Sequence, residues 1–479
     1  MKQRLVTDEN KKWWTLGAVS VGLFMIMLDN TIVNVALPSI QKSLGLTLSQ
    51  LEWVVTGYAL TFAAFMLTGG KLADLLGRRA IFMAGLVIFT ASSLACGLAG
   101  SGSMLIGARV VQGLGAALMN PATLSIITAT FPPRQRGMAI GIWAGVSAMA
   151  LAIGPLVGGL LAEHVNWNWI FYINVPVGIA GLILTPVLIT ESRDTSHEQR
   201  PDIPGLVTSG IALFALTYGF IESNNYGWGS TRIIGAFTIG IVALAVFIVL
   251  ERVQRLPMLD LSLFKNRTFA GANAAMLLIG LAMFGLFLFV SLYVQQVLGF
   301  SPVEAGATFL PMTLLIILIA PQAGRLSDRF GSRWFVGGGM AILALSLLWY
   351  SQLGTDETFW SILPGLLLGG IGMGLTMTPT TAAAMGSVPV DKAGVGSAVL
   401  NSMRQVGGSL GIGVMGAIVA SVSADSLAAG ASRPQAFVDG FHDAVRVGAL
   451  ILLVGAVIAT AAIRKQEHHH EPAAVPEAV

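Results

Sequence analysis

Charge is what this chain has least of. Lys and Arg number 27 and Asp and Glu 24 among 479 residues, so 11% are charged, where a typical soluble domain carries about 25%. Cysteine is nearly absent as well. The single Cys96 permits no internal disulfide, so the fold cannot depend on redox state. Long polar stretches are missing: loops are mostly under about 20 residues, too short for a soluble catalytic domain. No P-loop sequence occurs, which excludes nucleotide hydrolysis as an energy source. No buried His/Glu or Cys/His metal set and no Ser-centred motif is found either. The chain is therefore not read as an enzyme, and no catalytic or metal-ligating residue is assigned.

What is present is apolar. Hydrophobic residues make up 54% and the mean hydropathy is +0.77. They come in unbroken runs of roughly 18 to 25 residues, the length that crosses hydrocarbon. The runs do not alternate apolar and polar, which excludes a β-barrel. The 57 glycines suit helices that approach closely in lipid. The fold class expected is an all-α polytopic membrane protein.

Fourteen spans are predicted: 14–37, 52–70, 80–99, 104–129, 138–162, 169–189, 204–221, 233–250, 269–297, 303–322, 334–351, 360–383, 395–421 and 444–463. The first is an uncleaved span, since it follows Lys11-Lys12, is too long for a signal segment and lacks a small-residue cleavage site. With the N-terminus inside, 21 of the 27 Lys and Arg fall on the cytoplasmic side. Lys42, Arg232 and Arg433 fall outside, and Arg109, Arg404 and Arg446 lie within spans. That asymmetry places both termini in the cytoplasm of a cell whose inner membrane the chain crosses. It also explains the net charge of +3 without a nucleic-acid partner. The end from 464 to 479, with three histidines and alternating Pro and Ala, is expected to be a disordered cytoplasmic tail.

An internal repeat sets the architecture. Gly70-Lys-Leu-Ala-Asp74-Leu-Leu-Gly77-Arg78-Arg79 returns as Gly324-Arg-Leu-Ser-Asp328-Arg-Phe-Gly331-Ser-Arg333, at an offset of 254. The same offset carries Leu44-Gly45 onto Leu298-Gly299. Both repeated loops follow a second helix on the same side, so the repeat is parallel. Six-helix bundles at 14–190 and 269–463 then flank two accessory spans at 203–251, a layout of six plus two plus six. A central cavity between the halves, with alternating access by rocking, follows from that symmetry.

Further motifs lie along the chain: Leu28-Asp29-Asn-Thr31-Ile-Val-Asn34-Val-Ala-Leu-Pro38, Arg109-Val-Val-Gln112-Gly113, Gly154-Pro155-Leu-Val-Gly158-Gly159 and Trp167-Asn-Trp169-Ile-Phe-Tyr-Ile-Asn174-Val-Pro176-Val-Gly178. Together with the Gly70–Arg79 loop they resemble the major facilitator superfamily, specifically its fourteen-helix drug:proton antiporter family. The resemblance runs from about Trp13 to Ile463. Two positions depart from it: Asn168 stands where the family usually has Arg, and Ala150 where the helix 5 pattern often has Gly. The resemblance implies multidrug efflux driven by protons. It assigns the coupling acid to the motif holding Asp29, proton transfer to that of Arg109, and export to the helix 5 glycine-proline motif.

The residues can also be read on their own. Asp29 lies roughly 24 Å along the first helix at 1.5 Å per residue, far from any loop. An ionised carboxylate there costs several kcal/mol unless it is wet, paired or protonated. Such a group can take a proton on one side and release it on the other, which makes Asp29 the proton-coupling candidate. A structural hydrogen bond between helices is the alternative. Asn30 and Asn34 either share its cavity face or tie helices together. Arg109 never deprotonates, so its part is to pair with a nearby acid or to organise a polar network with Gln112 and Gly113. Arg404, with Asn401 and Gln405, forms a similar cluster that could line the cavity or snorkel to the cytoplasmic interface.

Three other acids have simpler readings, with substrate contact as the alternative. Ser49-Gln-Leu-Glu52 and Ser301-Pro-Val-Glu304 both fit an N-terminal capping box. Glu222 ends an accessory span and is read as solvated. Asp74, Arg78, Arg79, Asp328 and Arg333 in the repeated loops are read as a conformational latch, against plain topology-setting charge. Gly154, Pro155, Gly158 and Gly159 allow either a bend or close packing at a rocking interface. The expected activity is a proton-coupled antiporter exporting amphipathic or lipophilic small molecules. Its partners are substrate and lipid bilayer, it acts as a monomer, and it needs no cofactor beyond the proton. The alternatives are a facilitator-type carrier of a specific metabolite or anion, and a membrane enzyme or sensor.

Overall fold

The computed structural model describes residues 10–193, 202–388 and 393–464. The expected tail from 465 onward and the side chain of Asp328 lie outside the described residues. Helices dominate, and no strand occurs among the described residues. The first half comprises α1 (Lys11–Leu44), α2 (Leu48–Leu76), α3 (Arg78–Gly97), α4 (Gly102–Thr130), α5 (Pro133–His164), α6 (Trp169–Tyr172) and α7 (Asn174–Leu188). The accessory pair is α8 (Ile203–Tyr226) and α9 (Thr231–Val253). The second half comprises α10 (Arg267–Leu292), α11 (Pro302–Thr308), α12 (Leu310–Phe330), α13 (Ser332–Tyr350), α14 (Phe359–Gly386), α15 (Ala393–Ala428) and α16 (Arg433–Ala462).

Among the described residues thirteen stretches are long and apolar enough to cross a membrane, with α6–α7 and α11–α12 each serving as one. The remaining expected span, 138–162, falls on α5, a helix of 32 residues with several side chains outside the described ones. The chain is a multi-pass, all-α membrane protein. Helices are the outcome because hydrocarbon offers no partner to an open backbone, and each helix bonds its own N–H and C=O groups.

Local chemistry sets the ends, and it moves three of the expected ones. α2 starts at Leu48, not at 52, because Thr47 caps it: Thr47 Oγ accepts from Gln50 N–H at 3.3 Å, and Gln50 Oε1 accepts from Thr47 N–H at 3.0 Å. This box lies two residues ahead of the expected one, so Glu52 is not a capping residue. Ser301 and Glu304 do form a reciprocal box at α11. The span expected at 303–322 breaks at Phe309, where Pro311 cannot continue the preceding hydrogen bonds. The last helix begins at Arg433, eleven residues earlier than expected, because Ser432 Oγ accepts from Gln435 N–H.

The halves repeat each other in packing. α2 packs on α4, α3 on α4, α1 on α5 and α3 on α7; α12 on α14, α13 on α14, α10 on α15 and α13 on α16 repeat those pairs. The repeated loops also share backbone shape. Gly77 and Gly331 adopt φ 118° and 88°, and Gly45 and Gly299 adopt 65° and 72°. Residues with a Cβ resist these angles, so the repeat preserves glycine there.

Between the halves, α2 meets α15 and α5 meets α11. Several hydrogen bonds between the halves lie at the face opposite the start of α1. Gln296 Nε2 donates to Gln41 Oε1 at 2.7 Å, Gln295 Nε2 to Val35 O at 3.0 Å, and Val303 N–H to Glu163 Oε2 at 2.9 Å. The accessory hairpin lies against α2 and α15.

Candidate coupling site in the first half

Gly113 is where this site begins. A Cβ at that position would lie 2.4 Å from the carbonyl oxygen of Tyr58, and one at Gly69 would lie equally near that of Ala117. α2 and α4 are thus in backbone contact, a spacing open only to glycine. Arg109, one turn before Gly113, is thereby pressed under α2. Its Nε donates to Val54 O at 3.1 Å, and its guanidinium carbon stands 4.3 Å from the centre of the Tyr58 ring and 5.7 Å from that of Phe171.

The counter-charge comes from α1. Arg109 Nη1 bonds the Asp29 carboxylate in a short ion pair and also donates to Gln112 Oε1 at 2.7 Å. Gln112 Nε2 donates to Asp29 Oδ1 at 3.0 Å and to Ser93 Oγ at 3.1 Å. Asn174 Nδ2 donates to the same Ser93 oxygen at 3.0 Å, Ser93 Oγ donates to Phe171 O at 3.1 Å, and Cys96 Sγ reaches Gln112 Oε1 at 3.7 Å. Asp29, Arg109 and Gln112 are 0%, 1% and 0% exposed. A charged pair so deep is tolerable only with its remaining donors and acceptors satisfied, and here Gln112 and Val54 do that.

Asp29 and Arg109, chosen separately as isolated charges, are therefore one site, with Gln112 as its third member. Asn30 and Asn34 stay outside it: their side-chain amides donate to Ile26 O at 3.3 Å and Asn30 O at 3.4 Å on their own helix. Ser93, Asn174 and Tyr58 are members that sequence reasoning missed. Asn174 had a signal, since it stands in the Trp167–Gly178 motif, whereas a lone serine in an apolar run had none.

Glu52 is 2% exposed and packs against α15, where a Cβ at Gly416 would lie 2.0 Å from its Oε1. Glu222 is half-buried rather than solvated. It accepts from Trp53 Nε1 at 3.1 Å and Asn225 Nδ2 at 2.8 Å, tying α8 to α2. In the first repeated loop Asp74 pairs with Arg78 at 2.8 Å. Arg79 faces Glu191, which accepts from the N–H groups of Arg79 at 3.0 Å and Ala80 at 3.1 Å. Glu191 was overlooked, since nothing in its own loop sets it apart from the other acids there. Arg333 stacks over Trp334 at 4.6 Å.

The helix 5 motif lies in close approach. Cβ atoms at Gly154 and Gly158 would meet Thr31 Oγ at 1.9 Å and Ile32 O at 2.6 Å on α1. One at Gly159 would meet Pro302 O at 2.3 Å on α11, while one at Gly306 would meet Pro155 O at 2.2 Å. On the other side of the molecule Asp202 caps α8 through Gly205 N–H at 2.8 Å and also accepts from Met258 N–H at 3.0 Å. Burial pushes its carboxyl up, but hydrogen bonds from Gly205 and Met258, with Glu251 alongside, outweigh that and hold it below the usual range.

A family model described as Major Facilitator Superfamily matches residues 19–412. The tetracenomycin C resistance and export protein of Streptomyces glaucescens is 38% identical over 411 residues, 86% of this chain and 76% of its own. The puromycin resistance protein pur8 of Streptomyces alboniger is 35% identical over 458 residues, 95% of this chain and 90% of its own. Among solved structures, an inward-facing, unoccupied bacterial homolog of the human lysosomal transporter Spinster superposes with a TM-score of 0.68. It is 18% identical, with 95% of this chain and 98% of that one covered.

Proposed function

The chain belongs to the major facilitator superfamily, and on that premise we propose that it is a proton-coupled antiporter. It exports amphipathic or lipophilic small molecules such as drugs, antibiotics or related metabolites by alternating access. It sits in the cytoplasmic membrane with both termini inside, acts as a monomer, and uses no cofactor beyond the coupling proton. It carries out no catalysis and engages no nucleic acid. One relative is named for resistance to and export of tetracenomycin C and another for puromycin resistance, which supports efflux.

The observation that carries the reading is the buried Asp29–Arg109 pair and its place on α1. Asp29 is the group that changes charge, since the guanidinium keeps its proton. Protonating the carboxylate removes the attraction that holds α1 to α4, leaving Gln112 and the Val54 carbonyl to satisfy Arg109. Two residues further on, Thr31 and Ile32 lie against Gly154 and Gly158, and the next residue of that motif, Gly159, touches α11. A shift of α1 is thus passed through α5 to the contact that closes the outer face. Latch residues Asp74, Arg78 and Arg79, with Glu191, hold the inner end of α3 in the same movement.

The test is drug-dependent proton flux into liposomes loaded with a pH dye, with wild type and Asp29→Asn side by side. Flux in wild type that is lost in Asp29→Asn is the expected outcome. Equal flux in both would remove Asp29 as the carrier, and no flux with any compound would favour a carrier of a specific metabolite instead.

A further inference from the structure

Three arginines lie within the spans, and two of them have a counter-charge, Arg109 in Asp29 and Arg446 in Asp443. Arg109 is paired with Asp29, whereas Arg404 on α15 has no ion pair and no hydrogen bond among the described residues. It is half-buried, with its Nε fully enclosed and unpartnered. Beside it, Gln405 is 1% exposed and neither its Nε2 nor its Oε1 has a partner; on α10, Asn273 is equally buried and its Oδ1 is unpartnered. Of the thirteen enclosed polar side-chain atoms without a partner among the described residues, four belong to these three residues.

They are also neighbours. A Cβ at Gly407 would lie 2.0 Å from Leu277 O, and one at Gly280 would lie 2.3 Å from the carbonyl oxygen of Arg404, so α10 and α15 touch along their backbones. Asn273, Leu277 and Gly280 share one face of α10, which puts Asn273 level with Arg404 on this seam. On the other flank, Ser402 Oγ reaches Met66 Sδ of α2 at 3.6 Å, and Gln405 follows one turn later on the same face. Arg404 and Gln405 therefore border the groove where α10 of one half and α2 of the other approach the same helix.

A guanidinium is always charged and offers five donors in a fork that fits a carboxylate or phenolate. Leaving it in a low-dielectric site without an anion is unfavourable. We propose that Arg404, Gln405 and Asn273 form a substrate subsite for the anionic head of an amphipathic acid, one bearing a carboxylate or ionised phenol beside a hydroxyl. Arg404 and Gln405 Nε2 donate to the anion, while Asn273 Oδ1 accepts from the hydroxyl. This assignment rests on the antiport reading above and narrows its substrate class.

The probe is 1-hydroxy-2-naphthoate against its uncharged methyl ester, titrated calorimetrically into the full-length protein in detergent. Wild type is expected to bind the acid at least tenfold more tightly than the ester, and Arg404→Gln to erase that preference by weakening the acid alone. Arg404→Lys should retain part of it. Removing an unpaired charge strands no partner, so Arg404→Gln is expected to fold. A measurement needing no variant accompanies it: the acid, and not the ester, should raise the Tm of wild type. Equal affinities in wild type, or an undiminished preference in Arg404→Gln, would overturn the proposal. Proton flux measured on the same preparation separates the two readings. Flux without acid preference sinks the subsite and leaves antiport standing; acid preference without flux does the reverse.

Discussion

Asp29 and Arg109 are worth more together than either is alone, and that asymmetry is measurable. Arg109→Gln strands a fully buried carboxylate, at a cost of about 3–5 kcal/mol for breaking such a pair. The double variant with Asp29→Asn removes both charges and should recover most of that stability. Thermal unfolding of the two singles and the double in one detergent gives the coupling; additive losses would mean that the pair is not a unit. Much of this site was legible in the sequence because a single charge inside an apolar run has few explanations. What could not be read was which charges meet. Arg109 and Arg404 look alike in sequence, and only the packing of α4 on α1 gives one of them an acid. Glu52 misled for a related reason. Two capping boxes overlap at 47–52, and local pattern alone does not choose between them.

Among the elements, the contact between α5 and α11 is the most exacting. The shortest gap there leaves no space for a methyl group, so Gly159→Val should abolish drug-dependent flux by preventing closure of the outer face while the protein still inserts. Labelling of residues on that face by a membrane-impermeant reagent should rise in parallel. Normal transport in this variant would show that the contact is not made during the cycle. The accessory hairpin has its own signature. A carboxyl held below its unfolded value stabilises the fold fully above about pH 4 and loses that contribution as pH falls through its folded value. Asp202 should therefore make Tm fall as the pH drops below about 4, and Asp202→Asn should flatten that part of the profile. Helix existence was readable from run length alone, and helix ends were not. The breaks at Ile173 and Phe309 depend on backbone geometry that mean hydropathy does not register.

At the scale of the molecule, the offset of 254 announced two similar halves, because glycines forced to positive φ recur at matching places. How the halves meet was not announced, since the glycines and apolar side chains between α2 and α15 and between α5 and α11 read in sequence like those facing lipid. Glu52 and Glu163 at the same contacts read as helix ends. The polar bridge between Gln41 and Gln296 gives a direct test. With Cys96→Ser as background, Gln41→Cys and Gln296→Cys together should form a disulfide that stops transport, with recovery on reduction. Transport unaffected by the cross-link would mean that this face does not open.

The Asp29–Arg109 pair carries no net charge. On the reading proposed above, protonation of Asp29 would leave the guanidinium alone deep in the bilayer and expose the transporter to the membrane voltage. Each elementary charge moved through the full field is worth about 2.3 kcal/mol per 100 mV. On that reading an inside-negative potential would draw the protonated core inward even where the two solutions have the same pH, and voltage alone would drive the return.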